Sequence, residues 1–155
     1  MTSRRFRKEH IVTSVVAVIV DDHERVLLTK RSIPPFQGMW VMPGGKIELG
    51  EPIAVALQRE VEEEVGLAVE VGRLINVFEH VTPGEENCHY IILFYRCRPL
   101  HQELQHNPDE VLEACWVKRI DLGQYPMPEG TRTILGQLFP ELQAVESGGS
   151  HAGYP

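Results

Sequence analysis

A chain of 155 residues fits one domain with its own core. Hydrophobic residues make up 43% and charged residues 24%, the balance of a globular protein, and no run reaches the ~18 apolar residues of a membrane helix. The formal net charge of -7 argues against a nucleic-acid groove, which needs a basic face.

Residues 1–8 carry Arg4, Arg5, Arg7 and Lys8 without the apolar stretch of a signal peptide, so they read as a flexible basic arm on a cytoplasmic protein. The domain is expected over residues 9–143. Ile11 to Val20 is almost continuously apolar and valine-rich, the pattern of a buried strand. Asp21 to Glu24 reads as a turn and Arg25 to Arg31 as a second strand, and the two resemble a hairpin. Ser32 to Gly38 is a proline-bearing loop, and Met39 to Met42 a short strand ending at Pro43-Gly44-Gly45.

Pro52 suits a helix start, where its missing N–H costs nothing, and Gly66 suits a helix end. The helix between them has the apolar stripe Ile53, Leu57, Val61 and Val65. Leu67 to His80 is extended with a break near Gly72, Val81 to Asn87 is a loop, and Cys88 to Cys97 is an apolar strand. Leu100 to Asp109 is a polar loop, Cys115 to Lys118 a short strand, and Thr131 to Leu138 a helix that extends towards Val145. Residues 144–155 are small and polar, the composition of a disordered tail. The three cysteines, Cys88, Cys97 and Cys115, lack zinc-site spacing, and two fall in strand-like segments, where a cysteine reads as a buried inert thiol. These elements predict an α+β class: a mixed β-sheet flanked by helices, an α/β/α sandwich.

The chemistry concentrates in residues 45–67. Four glutamates occupy the five positions from Glu60 to Glu64. At ~100° per residue, Glu62 and Arg59 fall on the solvent side. Glu60 and Glu64 fall on the edge of the apolar stripe, and Glu63 flanks Glu60, so the three converge on one patch. Carboxylates pressed towards a core need pairing or a metal. Three hard oxygen donors suit Mg²⁺ or Mn²⁺ rather than zinc. Such an ion keeps waters and binds substrate phosphates, which points to metal-assisted attack of water on a phosphate. Gly44 and Gly45 let the backbone approach a ligand closely, and a carbonyl there can complete the metal shell. Arg59 points away from Glu60 in this reading, with Glu51 or Glu48 as its partner, pinning the glycine loop to the helix.

The stretch from Gly45 to Leu67 resembles the signature of the Nudix hydrolases, Gly-x5-Glu-x7-Arg-Glu-U-x-Glu-Glu-x-Gly-U with U a bulky aliphatic. Gly45, Glu51, Arg59, Glu60, Val61, Glu63, Glu64, Gly66 and Leu67 meet every fixed position. The resemblance implies an α/β/α Nudix sandwich and a Mg²⁺- or Mn²⁺-dependent hydrolase of a nucleoside diphosphate linked to another group. It implies Glu60, Glu63 and Glu64 as metal ligands, with the Gly44 carbonyl beside them. The general base is a box glutamate or a later acid, here Glu110 or Glu113. A proline 16 residues after the box, Pro83, marks ADP-ribose hydrolases in this family and points to ADP-ribose or a related nucleotide sugar. The alternatives are a nucleoside triphosphate pyrophosphohydrolase and a non-catalytic nucleotide-binding module. For a small-molecule nucleotide, Lys30 or Arg31 is a candidate phosphate contact, and Lys46 is a further candidate substrate-binding residue. Trp40 or Phe36 is a candidate base-stacking ring, and His80, Tyr90 and Pro83 line the pocket. Homodimerisation, common in the family, is expected through the first strand and the loop from Ser32 to Gly38.

Overall fold

The computed structural model describes residues 10–34, 36–82 and 88–140. The expected arm, the loop bearing Pro83 and the expected tail lie outside the described residues. The elements in chain order are β1 (Ile11–Ile19), β2 (Arg25–Arg31), β3 (Trp40–Val41), β4 (Gly44–Lys46), α1 (Ile53–Val65), β5 (Val69–Thr82), β6 (Cys88–Pro99), β7 (Val111–Lys118), a 3₁₀ helix (Arg119–Gln124) and α2 (Glu129–Leu138). Among the described residues no helix is long and apolar enough to cross a membrane.

Two sheets form the middle of the sandwich. The larger is mixed, with strand order β4-β1-β6-β5, and the smaller is antiparallel, with order β3-β2-β7. The valine-rich β1 runs parallel to β6 and antiparallel to β4. Its residues alternate between two cores, as period-two geometry requires. Val15, Ala17 and Ile19 pack with Ala56, Leu57, Val61 and Val65 of α1. Val18 packs with Ile134 and Leu135 of α2. In the smaller sheet Leu27 faces the α1 core, while Val26 and Leu28 face the α2 core.

Two expectations change. β1 and β2 are not a hairpin within one sheet: they meet only at a Val20–Val26 bridge and then diverge into different sheets. Each finds a longer partner elsewhere, β1 in β6 and β2 in β7. β1 is thereby paired on both sides along Ser14–Val16. The segment after Pro43 is not simply a turn: Gly44–Lys46 is an edge strand, with Val15 opposite Gly45. That strand sets the glycines against the first core and α1.

The helix α1 ends as its sequence foretells. Gly66 takes a left-handed conformation, φ 65°, and its N–H reaches the Glu62 carbonyl at 2.9 Å. The next carbonyls are taken by the loop before β7: Asn107 N–H donates to Glu64 O at 2.9 Å and Gln105 N–H to Val65 O at 2.8 Å. This satisfies groups that a helix end otherwise leaves open. It also brings the acidic end of that loop to the glutamate face of α1. β7 begins at Val111, earlier than its sequence suggests, and α2 stops at Leu138.

Candidate active site

The site is built where the edge strand β4 crosses the middle of α1. Backbone space is the first constraint. A Cβ on Gly44 would strike the Val15 carbonyl oxygen and stand 2.9 Å from Val16 Cα. A Cβ on Gly45 would land on the Glu60 carboxylate, 2.6 Å from Oε2. Both positions therefore demand glycine for close approach, one to a backbone and the other to a functional side chain.

The glutamates of α1 then separate by burial. Glu62 is exposed, as its phase predicts. Glu64 is largely covered, and its Oε2 accepts the Gly44 N–H at 3.0 Å. Burial, with the neighbouring Glu60 charge, pushes its carboxyl up to about 8. Burial also raises Glu60, with Arg59 acting in the opposite direction. Glu63 is 50% exposed and joins the cluster through Arg59, Nη1 to Oε2 3.3 Å.

Arg59 organises the solvent side. It grips Glu51 with a two-pronged contact, Nε to Oε2 2.7 Å and Nη2 to Oε1 3.0 Å. It also donates to the Lys46 carbonyl at 3.2 Å. The expected anchoring of the loop is present, and Glu51 is the partner. Glu48 is not: its backbone N–H instead donates to Glu51 Oε1 at 3.1 Å. Nor does Arg59 point away from Glu60, because its Nη1 reaches Glu60 Oε1 at 2.8 Å. The guanidinium fork is wide enough to serve both carboxylates.

The later acids fall on opposite sides of the smaller sheet. Glu110 lies within electrostatic reach of both Glu60 and Glu64 and raises both. Glu113 does not join them. It shares its face of β7 with Cys115 and Val117 on the α2 side, is 62% exposed, and stands 3.8 Å from Lys30. The structure thus brings Glu110, and not Glu113, to the carboxylates of α1. Strand alternation was the available signal, and it depends on a β7 that starts at Val111.

The candidate binding residues divide similarly. Arg31 follows Thr29 onto the α1 side, where its charge partly offsets that of Glu64. Lys46 ends β4, exposed, with its carbonyl held by Arg59. Trp40 is half-buried against the α2 core and meets Tyr125 edge to face at 5.1 Å. Phe36 is exposed in the loop with a left-handed backbone, φ 63°. His80 is exposed on β5 opposite Tyr90. Phe78, Ile92 and Tyr125, which sequence reasoning did not single out, pack partly buried against the α2 core.

The donor set fits a hard divalent cation. Two crowded carboxylates, Glu60 and Glu64, resist ionising together, and a positive charge between them relieves both burial and repulsion. Among the described residues no three acidic, imidazole or thiol groups are already drawn round one point. Glu63, turned towards Arg59, is the third carboxylate within the cluster's reach.

Comparison with known proteins identifies the family. The NUDIX domain model matches residues 10–140. The chain is 33% identical over 134 residues to the 8-oxo-dGDP phosphatase NUDT18 of Mus musculus, covering 84% of this chain and 38% of that protein. It thus spans well under half the length of that relative. It is 31% identical over 108 residues to the nucleoside triphosphatase NudI of Escherichia fergusonii, covering 64% of this chain and 76% of that one. The crystal structure of a MutT NUDIX hydrolase from Burkholderia pseudomallei superposes with a TM-score of 0.74 at 34% identity, covering 84% of this chain and 99% of that one. With the box intact and a domain match over nearly all the described residues, the chain belongs to the Nudix family.

Proposed function

We propose that this chain is a Mg²⁺- or Mn²⁺-dependent hydrolase that cleaves a phosphoric anhydride bond in a nucleoside di- or triphosphate. One observation carries the reading: the covered carboxylates of Glu60 and Glu64 flank a glycine strand too tight for any side chain, with Glu64 fixed by the Gly44 N–H. A bound divalent ion would polarise a phosphate oxygen and acidify a water. Glu60, Glu64, Glu63 and the Gly44 carbonyl are the groups that would hold it. Arg59 and Glu51 position Glu60 and the loop from Lys46 to Glu51, so that a phosphate and a carboxylate meet at a set distance. Glu110, brought in by the loop that caps α1, is placed to take a proton from the attacking water. Arg31, whose charge partly offsets that of Glu64, is assigned to substrate phosphates, and Lys46 at the end of β4 is assigned with it.

The names of two relatives, a phosphatase of 8-oxo-dGDP and a nucleoside triphosphatase, support simple nucleoside phosphates as the substrate class. A second reading, ADP-ribose or a related nucleotide sugar, is supported by the spacing of Pro83 from the box. Hydrolysis of dGTP, 8-oxo-dGDP, ATP and ADP-ribose with Mg²⁺, with identified products, separates the two. Release of orthophosphate or pyrophosphate supports the first, and AMP with ribose 5-phosphate supports the second. Turnover that survives exhaustive chelation, or that persists in Glu64→Gln, removes the metal mechanism. Self-association through the loop from Ser32 to Gly38 is tested by sedimentation, where a monomer at working concentration removes it.

A further inference from the structure

A β-bulge near the start of β5 brings two arginines together. Between the Val71–Cys97 and Leu74–Tyr95 pairs, β5 supplies two residues, Gly72 and Arg73, against one on β6, Arg96. The strands are tightly apposed here: a Cβ on Gly72 would stand 2.8 Å from the Arg96 carbonyl oxygen. Arg73 is exposed and Arg96 is partly buried. Burial and the Arg73 charge pull Arg96 below its ordinary value, with Glu24 acting the other way.

Beside the bulge lies a cavity of about 300 Å³, a volume at the lower end for small-molecule sites. Gly72 lines it, and its charged walls are Asp21, Asp22, Glu70, Arg96 and Arg98. It lies past the end of β1, at Val20, whereas the catalytic strand β4 joins β1 at Ser14–Val16. The two sites are therefore separate.

Most charges around the cavity already have partners. Asp21 accepts the backbone N–H of His23 at 2.9 Å and that of Arg25 at 2.8 Å, and it pairs with Arg25 Nε at 2.7 Å. Glu70 accepts from Arg98 Nη2 at 2.9 Å, and Glu24 pairs with Arg119 at 3.3 Å. Asp22 is exposed in the turn, where water and salt screen it. Arg73 and Arg96 are what is left. Among the described residues neither guanidinium makes a hydrogen bond or an ion pair. The chain carries a net charge of -7, so acids are plentiful, yet none is spent here. Like charges opposite each other on neighbouring strands cost stability, and burying a charge without a partner costs more. An anion held between the two removes both costs. Two guanidinium forks match the oxygens of a phosphoryl group and balance its two charges. A carboxylate brings half that charge.

We infer that Arg96, with Arg73 beside it, forms a binding site for a phosphoryl dianion in this cavity, either free phosphate or the head of a small phosphate ester. The site lies apart from the catalytic carboxylates and takes its ligand without a metal, so it stands or falls independently of the hydrolase reading.

The test titrates inorganic phosphate and glycerol 3-phosphate into the parent, Arg96→Gln, Arg73→Gln and Glu64→Gln, in chelator at constant ionic strength, and follows backbone amide NMR shifts. The expected result is saturable shifts at Asp21, Asp22 and Gly72 in the parent and equally in Glu64→Gln. The Kd should rise about tenfold or more in each arginine variant. Equal affinities for the two ligands would uphold the site as one for the phosphoryl group alone, and tighter glycerol 3-phosphate would uphold it as one for an ester. No saturable shift at these residues with either ligand, shifts centred on Gly44 and Gly45, or a Kd unmoved by both arginine variants overturns the inference. Melting curves check that each variant is folded, and Arg73→Gln, at an exposed position, keeps the test decisive where Arg96→Gln is not.

Discussion

Arg59 and Glu51, eight residues apart, are joined by two parallel hydrogen bonds of 2.7 and 3.0 Å. The pair ties the loop after β4 to the second turn of α1. The same guanidinium continues to Glu60 at 2.8 Å, so the position of a candidate metal ligand depends on a loop contact. The Arg59 grip holds Glu51 below its ordinary carboxylate range. Both partners of this fork therefore stay charged wherever the enzyme works.

A lysine at position 59 keeps the charge and loses the fork. Arg59→Lys is expected to lower kcat about tenfold or more and to raise the Mg²⁺ concentration needed for half-maximal rate. Glu51→Gln should produce the same two changes. The double variant should cost less than the product of the single losses, because one contact accounts for both. Metal titrations of the four proteins check this. Independent losses would mean that Arg59 and Glu51 act separately.

The two glycines of β4 make opposite predictions about stability and activity. At Gly44 a methyl meets backbone atoms of Val15 and Val16, which cannot move without breaking the β1 pairing. Gly44→Ala is expected to destabilise the fold by about 1–3 kcal/mol or more. At Gly45 the methyl meets the end of the Glu60 side chain, which can swing away. Gly45→Ala should retain most of the parent melting temperature and lose up to about a hundredfold in turnover, the scale of a 1 Å misplacement. Melting curves and kcat measured on both variants distinguish the cases.

The parts of this site that were legible in sequence are those governed by local rules. The phase of Glu60, Glu62 and Glu64 on α1, the Gly66 cap and the close approach of the glycines all follow from spacing within about twenty residues. What sequence did not show depends on which strands pair. Whether Glu110 or Glu113 meets α1 is decided by the face of β7, which follows from its register with β2. β1 and β2 look like a hairpin because they are adjacent and apolar, yet each has a longer partner far along the chain. Phe78 and Ile92 reach the α2 core through a four-strand row that no local pattern reveals.

Glu110 gives a third prediction. It is exposed and held near α1 by a loop whose Asn107 N–H binds the Glu64 carbonyl. Its own carbonyl accepts the Ser32 hydroxyl at 2.8 Å. Glu110→Gln should reduce kcat by about 10²-fold or more with KM nearly constant, as for loss of a group that acts on a proton in the transition state. A change confined to KM would remove it from the proton transfer.

The burial of Glu64 ties stability to pH in the metal-free protein. Its ordinary value near 4.5 is raised to about 8 in the fold, so between those limits the folded chain keeps a proton that the unfolded chain has released. Stability from this group is therefore complete below pH 4.5 and falls as pH rises, by at most about 1.4 kcal/mol per unit, until the folded carboxyl ionises near pH 8. Melting in chelator should show a temperature that declines across this window. Glu64→Gln removes the titrating proton while leaving an acceptor for the Gly44 N–H, so it should flatten the decline and melt above the parent at pH 8. Mg²⁺ should raise the parent's melting temperature most at that pH, where the carboxylate is ionised and binding opposes unfolding. A metal-free melting temperature independent of pH, or a Glu64→Gln protein less stable than the parent at pH 8, would mean that Glu64 is already compensated by its neighbours and has no need of a cation.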